Sequence, residues 1–324
     1  MSRTVNYGKS AFGNFLYLCL NLWLMFMATA ASSIECDPKK CKGPIQHYHE
    51  LRCEPIYKKP SDCCAVSYNC SHLSERSPYN CYVNGHVYNI GDKLKDEDRN
   101  NPCDIDCNCV KGFKDVATFT CAAIDCSIMR IKEGCYFKRK PGTCCDGEQI
   151  CPEISEERTK CEIDGRTYLD GEPFYPSEKP ELVCQCSKGY KGEYVAPFCE
   201  HISCGTELLR TLEIRENCAP VFYHSQIPQT SCTYGYRCQN YNDTVIHRIT
   251  KISSNNVSEE LTSEKLSSNK MCKFGNLTME IGDELNQATD YSSVCVRCVC
   301  EVPPTPTCQR LPDNECDVTN HPLF

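Results

Sequence analysis

The chain is poor in the residues that ordinarily build a large interior. It holds 1 Trp and 11 Phe among 324 residues, and its mean hydropathy is -0.47. This composition argues against one apolar core for the whole chain and points to small cores held together by other means. Basic charge is also in short supply: 35 Lys and Arg stand against 43 Asp and Glu, a formal net charge of -8. Mild acidity spread over many residues disfavours nucleic acid, heparin-like polymers or an anionic membrane as the main partner, and is compatible with a basic protein ligand or with solubility alone. Catalytic signatures are missing as well. There is no G-x-S-x-G elbow, phosphate loop or HExxH frame, so neither enzymatic activity nor a cofactor is expected.

Cysteine is what the chain has in excess, with 31 residues. Reducing compartments keep such thiols unpaired, so this density predicts an oxidising one and a disulfide framework. Residues 1–30 read as an export signal: Arg3 and Lys9 lead into the apolar run Phe15 to Ala28, and Ala28-Thr29-Ala30 has the small-x-small form of a cleavage site. The run is short and interrupted by Asn21, unlike a membrane span. Removing the signal removes Cys19 and leaves an even number of cysteines, able to pair completely. The mature protein is therefore expected outside the cell, in the extracellular space or matrix, with no membrane span. Sequons at Asn69, Asn242, Asn256 and Asn276 are candidate glycosylation sites.

Aligning the cysteines against themselves reveals a repeat. One complete unit runs over 81–151, with cysteines at 81, 103, 107, 109, 121, 126, 135, 144, 145 and 151. A second unit, 161–238, preserves the order at 161, 184, 186, 199, 204, 218, 232 and 238 but lacks two. Pro141 and Pro228 each lie three residues before the doublet position, so Ser231 replaces the first cysteine of the doublet, and nothing matches Cys103. Two cysteines lost together are most simply former partners, which points to a Cys103–Cys144 bridge. The segment 36–70 (Cys36, Cys41, Cys53, Cys63, Cys64, Cys70) matches a second half, and 272–316 (Cys272, Cys295, Cys298, Cys300, Cys308, Cys316) matches a first half. The arrangement is half, whole, whole, half.

Turn residues repeat too. Asn84-Gly85 and Asp164-Gly165 stand between strand-like residues, echoed more loosely by Gly275 to Asp283, so each unit should open with an antiparallel hairpin. Residues 239–271 contain no cysteine and many serines and read as a glycosylated linker, in which Val245, Ile246, Ile249 and Ile252 could alternatively form a short strand or binding motif.

The pattern C, G-x-x-Y-x-x-G-[DE], C-x-x-x-C-x-C, a five-residue step, a CC doublet and a last cysteine resembles the von Willebrand factor type C domain. The likeness is specific over 81–151, good over 161–238 and partial at both ends. Two departures are that Cys103 to Cys107 is one residue longer than the family's usual spacing and that the second repeat lacks a bridge. The resemblance implies a small disulfide-rich fold, mostly β hairpins and irregular loops, as tandem modules in an elongated array. It implies the pairs Cys81–Cys109, Cys103–Cys144, Cys107–Cys121, Cys126–Cys145 and Cys135–Cys151. In the second repeat it implies Cys161–Cys186, Cys184–Cys199, Cys204–Cys232 and Cys218–Cys238, and in the terminal halves Cys41–Cys64, Cys53–Cys70, Cys272–Cys300 and Cys298–Cys308. Cys36, Cys63, Cys295 and Cys316 remain, to pair locally or with another chain as a disulfide-linked oligomer.

Type C modules of the chordin, kielin and crossveinless-2 kind bind bone-morphogenetic-protein ligands of the TGF-β superfamily. By resemblance, the chain is expected to bind such a growth factor through the first half of a complete module, around Cys81 to Cys109 or Cys161 to Cys186, and to modulate its signalling. Candidate contact residues are Tyr82, Tyr88, Ile90, Tyr168, Phe174 and Tyr175, with Tyr88, Tyr168 and Phe174 better suited to a hairpin core. A matrix or cell-surface scaffold is the alternative. A protease inhibitor presenting Lys138-Arg139-Lys140-Pro141 is a third. No metal is expected, because the thiols are better employed as bridges, and His47-x-His49-Glu50 reads as a solvated surface pair.

Overall fold

The structure is a computed structural model and describes residues 36–126, 130–138, 143–145, 147–152, 158–247 and 271–320. The export signal, Asn256, Ile249, Ile252 and Arg139 to Pro141 lie outside the described residues. The chain divides into two units, Met1–Asp37 and Pro38–Phe324. Of the first, Cys36 and Asp37 are described.

The second unit is a small disulfide-rich fold of β hairpins with a few short helices. Its first halves begin with the same two-strand ribbon, Asn80–Val83 with His86–Asn89, Lys160–Ile163 with Arg166–Leu169, and Met271–Phe274 with Leu277–Glu280. Asn84 and Gly85 both take positive φ (52° and 82°), the requirement of the tight turn that suits the strand twist. Register sets Cys81 opposite Tyr88, Cys161 opposite Tyr168 and Cys272 opposite Met279, so each cysteine shares its face with a large side chain.

The G-[DE] pair after each ribbon has a structural purpose. Gly91 turns the chain at φ 100°, a conformation costly for any residue with a Cβ. The next carboxylate caps the turn: Asp92 Oδ2 accepts from Asn89 N at 2.7 Å, Glu172 Oε2 from Leu169 N at 2.9 Å and Asp283 Oδ2 from Glu280 N at 2.8 Å. The turn then seats on the following strand. Gly91, Gly171 and Gly282 each donate to the carbonyl of a cysteine (Cys109, Cys186, Cys300) at 2.8 Å, and each of those cysteines donates back to the acid's carbonyl. A disulfide closes the same junction, Cys81–Cys109, Cys161–Cys186 and Cys272–Cys300, with Cα atoms 5.7 to 5.9 Å apart. A second bridge, Cys107–Cys121, Cys184–Cys199 or Cys298–Cys308, ties that strand to its partner.

Second halves also repeat. Cys41–Cys64, Cys126–Cys145 and Cys204–Cys232 form one bridge, and Cys53–Cys70, Cys135–Cys151 and Cys218–Cys238 the other. Cys103–Cys144 joins the two halves of 81–151. All these pairs coincide with those implied by the resemblance. Cys295 pairs with Cys316 inside the same chain, and Cys36 and Cys63 are disulfide-bonded too. Every cysteine from Cys36 to Cys316 is thereby consumed.

Halves from different repeats pack on one another. Without a bridge of the Cys103–Cys144 kind, 204–238 carries its contacts elsewhere: Leu208 is buried in the core of the first complete repeat with Val83, Tyr88 and Phe119, and Glu207 accepts from Asn84 N at 2.7 Å and pairs with Arg76. On its other side Ala219–Phe222 runs parallel to Thr307–Arg310, making one sheet of six strands from the second and last repeats. The strand Val245–Ile246, within the segment expected to be a linker, closes the sheet's far edge against Glu284–Leu285. The terminal halves meet as well. Tyr48, fully buried, donates to the carbonyls of Val302 (2.6 Å) and Thr305 (3.1 Å) and stacks on Tyr68 at 4.2 Å.

Under the six-stranded sheet lies a charge that the repeat pattern does not announce. Arg237 and Asp243 are 2.6 Å apart with both side chains excluded from solvent. Asp243 also accepts from Thr289 and from Asn240 N, and Arg237 donates to the Asn286 carbonyl. Removing one partner strands the other's charge in a dry site. Asp243→Ala is therefore expected to lower stability by about 3–5 kcal/mol, read as a shift of the guanidinium unfolding midpoint with disulfides intact.

Candidate ligand-binding surface

The ribbons divide the expected contact residues into two groups. Tyr88 is 4 % exposed, sets its ring edge-on to Phe119 at 5.3 Å and donates its hydroxyl to Asp98. Phe174 is 1 % exposed between Tyr168 and Tyr190, each 5.4 Å away, and Tyr168 is half-buried against it. Tyr82, half-buried, accepts from Ser77 N at 2.9 Å beneath the Arg76 guanidinium. Ile90 and Tyr175 face solvent. Tyr88 and Phe174 are core residues, the role for which they were better suited: Tyr88 packs with Phe119 and Leu208, and Phe174 with Ile163 and Leu182, each against the cysteines of its repeat.

Position along the ribbon explains what the sequence did not single out. Val87 sits between His86 and Tyr88, pointing opposite to the inward Tyr88, and is 59 % exposed. Ile90, just before the turning glycine, is 46 % exposed, and its counterpart before Gly282, Ile281, is 52 % exposed. The second repeat has Asp170 at this position, and Asp170 is covered: Tyr136 donates to it at 2.7 Å and Lys138 pairs with it at 2.9 Å. One ribbon turn is thus spent on docking the neighbouring half. The other two leave an aliphatic side chain in water. Lys138, the one described residue of the basic segment 138–141, is engaged in this ion pair.

The carboxylate beneath the first ribbon is fixed. Burial would raise the pKa of Asp98, but hydrogen bonds from Tyr88, His86 and Asn84 outweigh it and hold the group below the usual carboxylate range. Asp98 thereby locks the inward side of the ribbon whose outward side carries Val87 and Ile90. His86, Glu97 and Asp98 bring ligating atoms close together, and sulfur clusters occur at Cys41–Cys63–Cys64 and Cys126–Cys144–Cys145. The cysteines of both sulfur clusters are all in disulfides, so those sulfurs are not thiolate ligands. Asn69, Asn242 and Asn276 are exposed, as a glycan attachment would require.

The expectation of a solvated His47–His49 pair is corrected for one of its members. His49 is exposed, whereas His47 is 5 % exposed, buried on the inner face of the helix Ile45–Glu50 with Tyr236 at 3.3 Å from its Nδ1. Three residues along a helix return to nearly the same face, but two do not. His47 therefore goes inside while His49 stays out.

No protein-family model matches the chain, and no solved structure matches it. The fold defines its class as a small disulfide-rich protein of β hairpins and loops, and among the described residues no helix is long and apolar enough to cross a membrane.

Burial lowers His47 from 6.5 to about 4. Between these values the unfolded chain binds a proton that the folded chain refuses, so stability is full above pH 6.5 and falls as pH drops towards 4, by about 3 kcal/mol at most. Glu50, raised by burial, acts in the opposite sense over part of that window. His47→Gln is expected to flatten the decline between pH 6.5 and 4.5, measured by guanidinium midpoints; an unchanged decline would place the acid sensitivity elsewhere.

Proposed function

We propose that the protein is an extracellular binding protein that captures a growth factor of the TGF-β superfamily and controls its access to receptors. The observation that carries this reading is the recurrence of an exposed isoleucine, Ile90 and Ile281, on ribbons clamped by Cys81–Cys109 and Cys272–Cys300. A staple makes the ribbon rigid without requiring every apolar side chain to be buried. Rigid exposed aliphatic residues are suited to the apolar centre of a protein interface, since little ordering entropy is lost when they are covered. The resemblance to type C modules supports the choice of ligand class. The mild overall acidity suits a basic partner.

Within this reading the first and last ribbons contact the ligand. The second does not, because its Asp170 is occupied by Tyr136 and Lys138.

Binding of the full-length secreted protein to a panel of immobilised TGF-β superfamily dimers tests the proposal. Saturable binding is expected for at least one. Val87→Asp with Ile90→Asp should weaken it about tenfold or more, a loss of about 1.4 kcal/mol, Ile281→Asp should weaken it in the same direction, and Arg166→Asp on the second ribbon should leave it unchanged. Absence of binding across the panel, or binding indifferent to the first two changes, would overturn the reading.

A further inference from the structure

A second feature of the unit owes nothing to the ribbons. Where the terminal segment 47–74 meets 214–236 and 271–305, the chain encloses an open cavity of about 380 Å³, within the size range of small-molecule sites. Leu51, Leu73, Ile214 and Met271 supply apolar wall, and the charged groups lining it are Arg215 and Lys273, with no carboxylate among the lining residues. In a chain of net charge -8 that is a local reversal of sign. The Lys273 ammonium has no partner among the described residues. Arg215 gives one nitrogen to the Arg76 carbonyl at 3.0 Å and keeps its remaining donors.

The cavity also has a buried polar wall. Thr206 hydrogen-bonds the Tyr236 hydroxyl, which lies 3.3 Å from His47 Nδ1. With Tyr236 donating to Nδ1, the neutral ring carries its proton on Nε2, for which no hydrogen-bond partner occurs among the described residues. His47, 5 % exposed, lines the cavity. Cations, polar donors and aliphatic groups lining one cavity suit a molecule with an anionic head and an apolar body.

We propose that this cavity binds a small amphipathic organic anion, a carboxylate or sulfonate carrying an apolar chain or ring. Its walls come from three separate repeats, so the site exists only when the two terminal halves are docked on the 204–238 segment. Anion binding is thereby coupled to that docking: a ligand present in the joined state alone stabilises it.

Titration of the full-length protein with 8-anilinonaphthalene-1-sulfonate, followed by fluorescence and competed with decanoate, tests this. One saturable site displaced by decanoate is expected, with affinity falling as salt rises. Arg215→Glu combined with Lys273→Glu should weaken the sulfonate at least tenfold while changing the uncharged analogue N-phenyl-1-naphthylamine by less than threefold. Because the double reversal could disturb the junction, Ser74→Phe serves as an independent variant that fills the cavity and leaves both cations in place; it should exclude both probes. No saturable binding, no displacement by decanoate, or affinities unchanged in both variants would overturn the proposal. Val87→Asp with Ile90→Asp should leave the probe's affinity unchanged, so loss of growth-factor binding and loss of this site are separate results.

Discussion

The disulfide between the ribbon and the strand that follows it is the constraint on which the rest of this structure depends. Each first half has a handful of buried side chains, for instance Ile163, Phe174 and Leu182 around three cysteines in the second repeat. That is too little apolar area to offset the chain entropy of a segment of this length. A bridge removes part of that entropy from the unfolded chain, about 3 kcal/mol for a loop of some 15 residues and more for longer ones. Three copies of one junction, each with the same glycine turn, the same carboxylate cap and the same reciprocal backbone hydrogen bonds, show the bridge and the local hydrogen bonding reinforcing one geometry.

Once each half is stapled separately, how halves associate becomes a matter of surface chemistry. Cys103–Cys144 holds the halves of the first complete repeat covalently. The second repeat has Ser231 in the doublet, and its second half instead reaches the first repeat through Leu208 and Glu207 and the last repeat through the parallel pairing of Val221 with Cys308. The buried Arg237–Asp243 pair lies in this assembled region. Burying such a pair brings little net stability but tolerates few alternative partners, which fits a junction whose geometry must be specific because no disulfide defines it.

Much of the local architecture was legible in the cysteine spacing. Ribbon positions, the turn at Asn84-Gly85, the Cys103–Cys144 pair and the division into halves follow from periodic, short-range signals, because a tight turn and a bridge leave residue-specific marks. Inward and outward faces were half legible: Tyr88 and Phe174 are core, as suits large rings beside cysteines, yet Val87 and Ile281 carry no mark until the register places them. The reading of His47 as a surface residue failed for a related reason, since which face of a six-residue helix turns inward is decided by what packs on it. Val245 and Ile246 were ambiguous between linker and strand because two residues become a strand only when another edge receives them.

The sequence by itself determined the chemistry of closure: which cysteines recur, where the chain must turn, and that stability comes from bridges within small repeats. Tertiary structure alone decided which halves touch, that the terminal halves meet around Tyr48 and Val302, that Asp170 is covered while Ile90 and Ile281 are not, and that two cations and a buried histidine share one cavity. The division is physical. Turns and staples act between residues a few tens of positions apart and repeat with the sequence, whereas docking joins residues at any separation, up to the 257 positions between Tyr48 and Thr305, through shape and burial, for which no spacing rule exists.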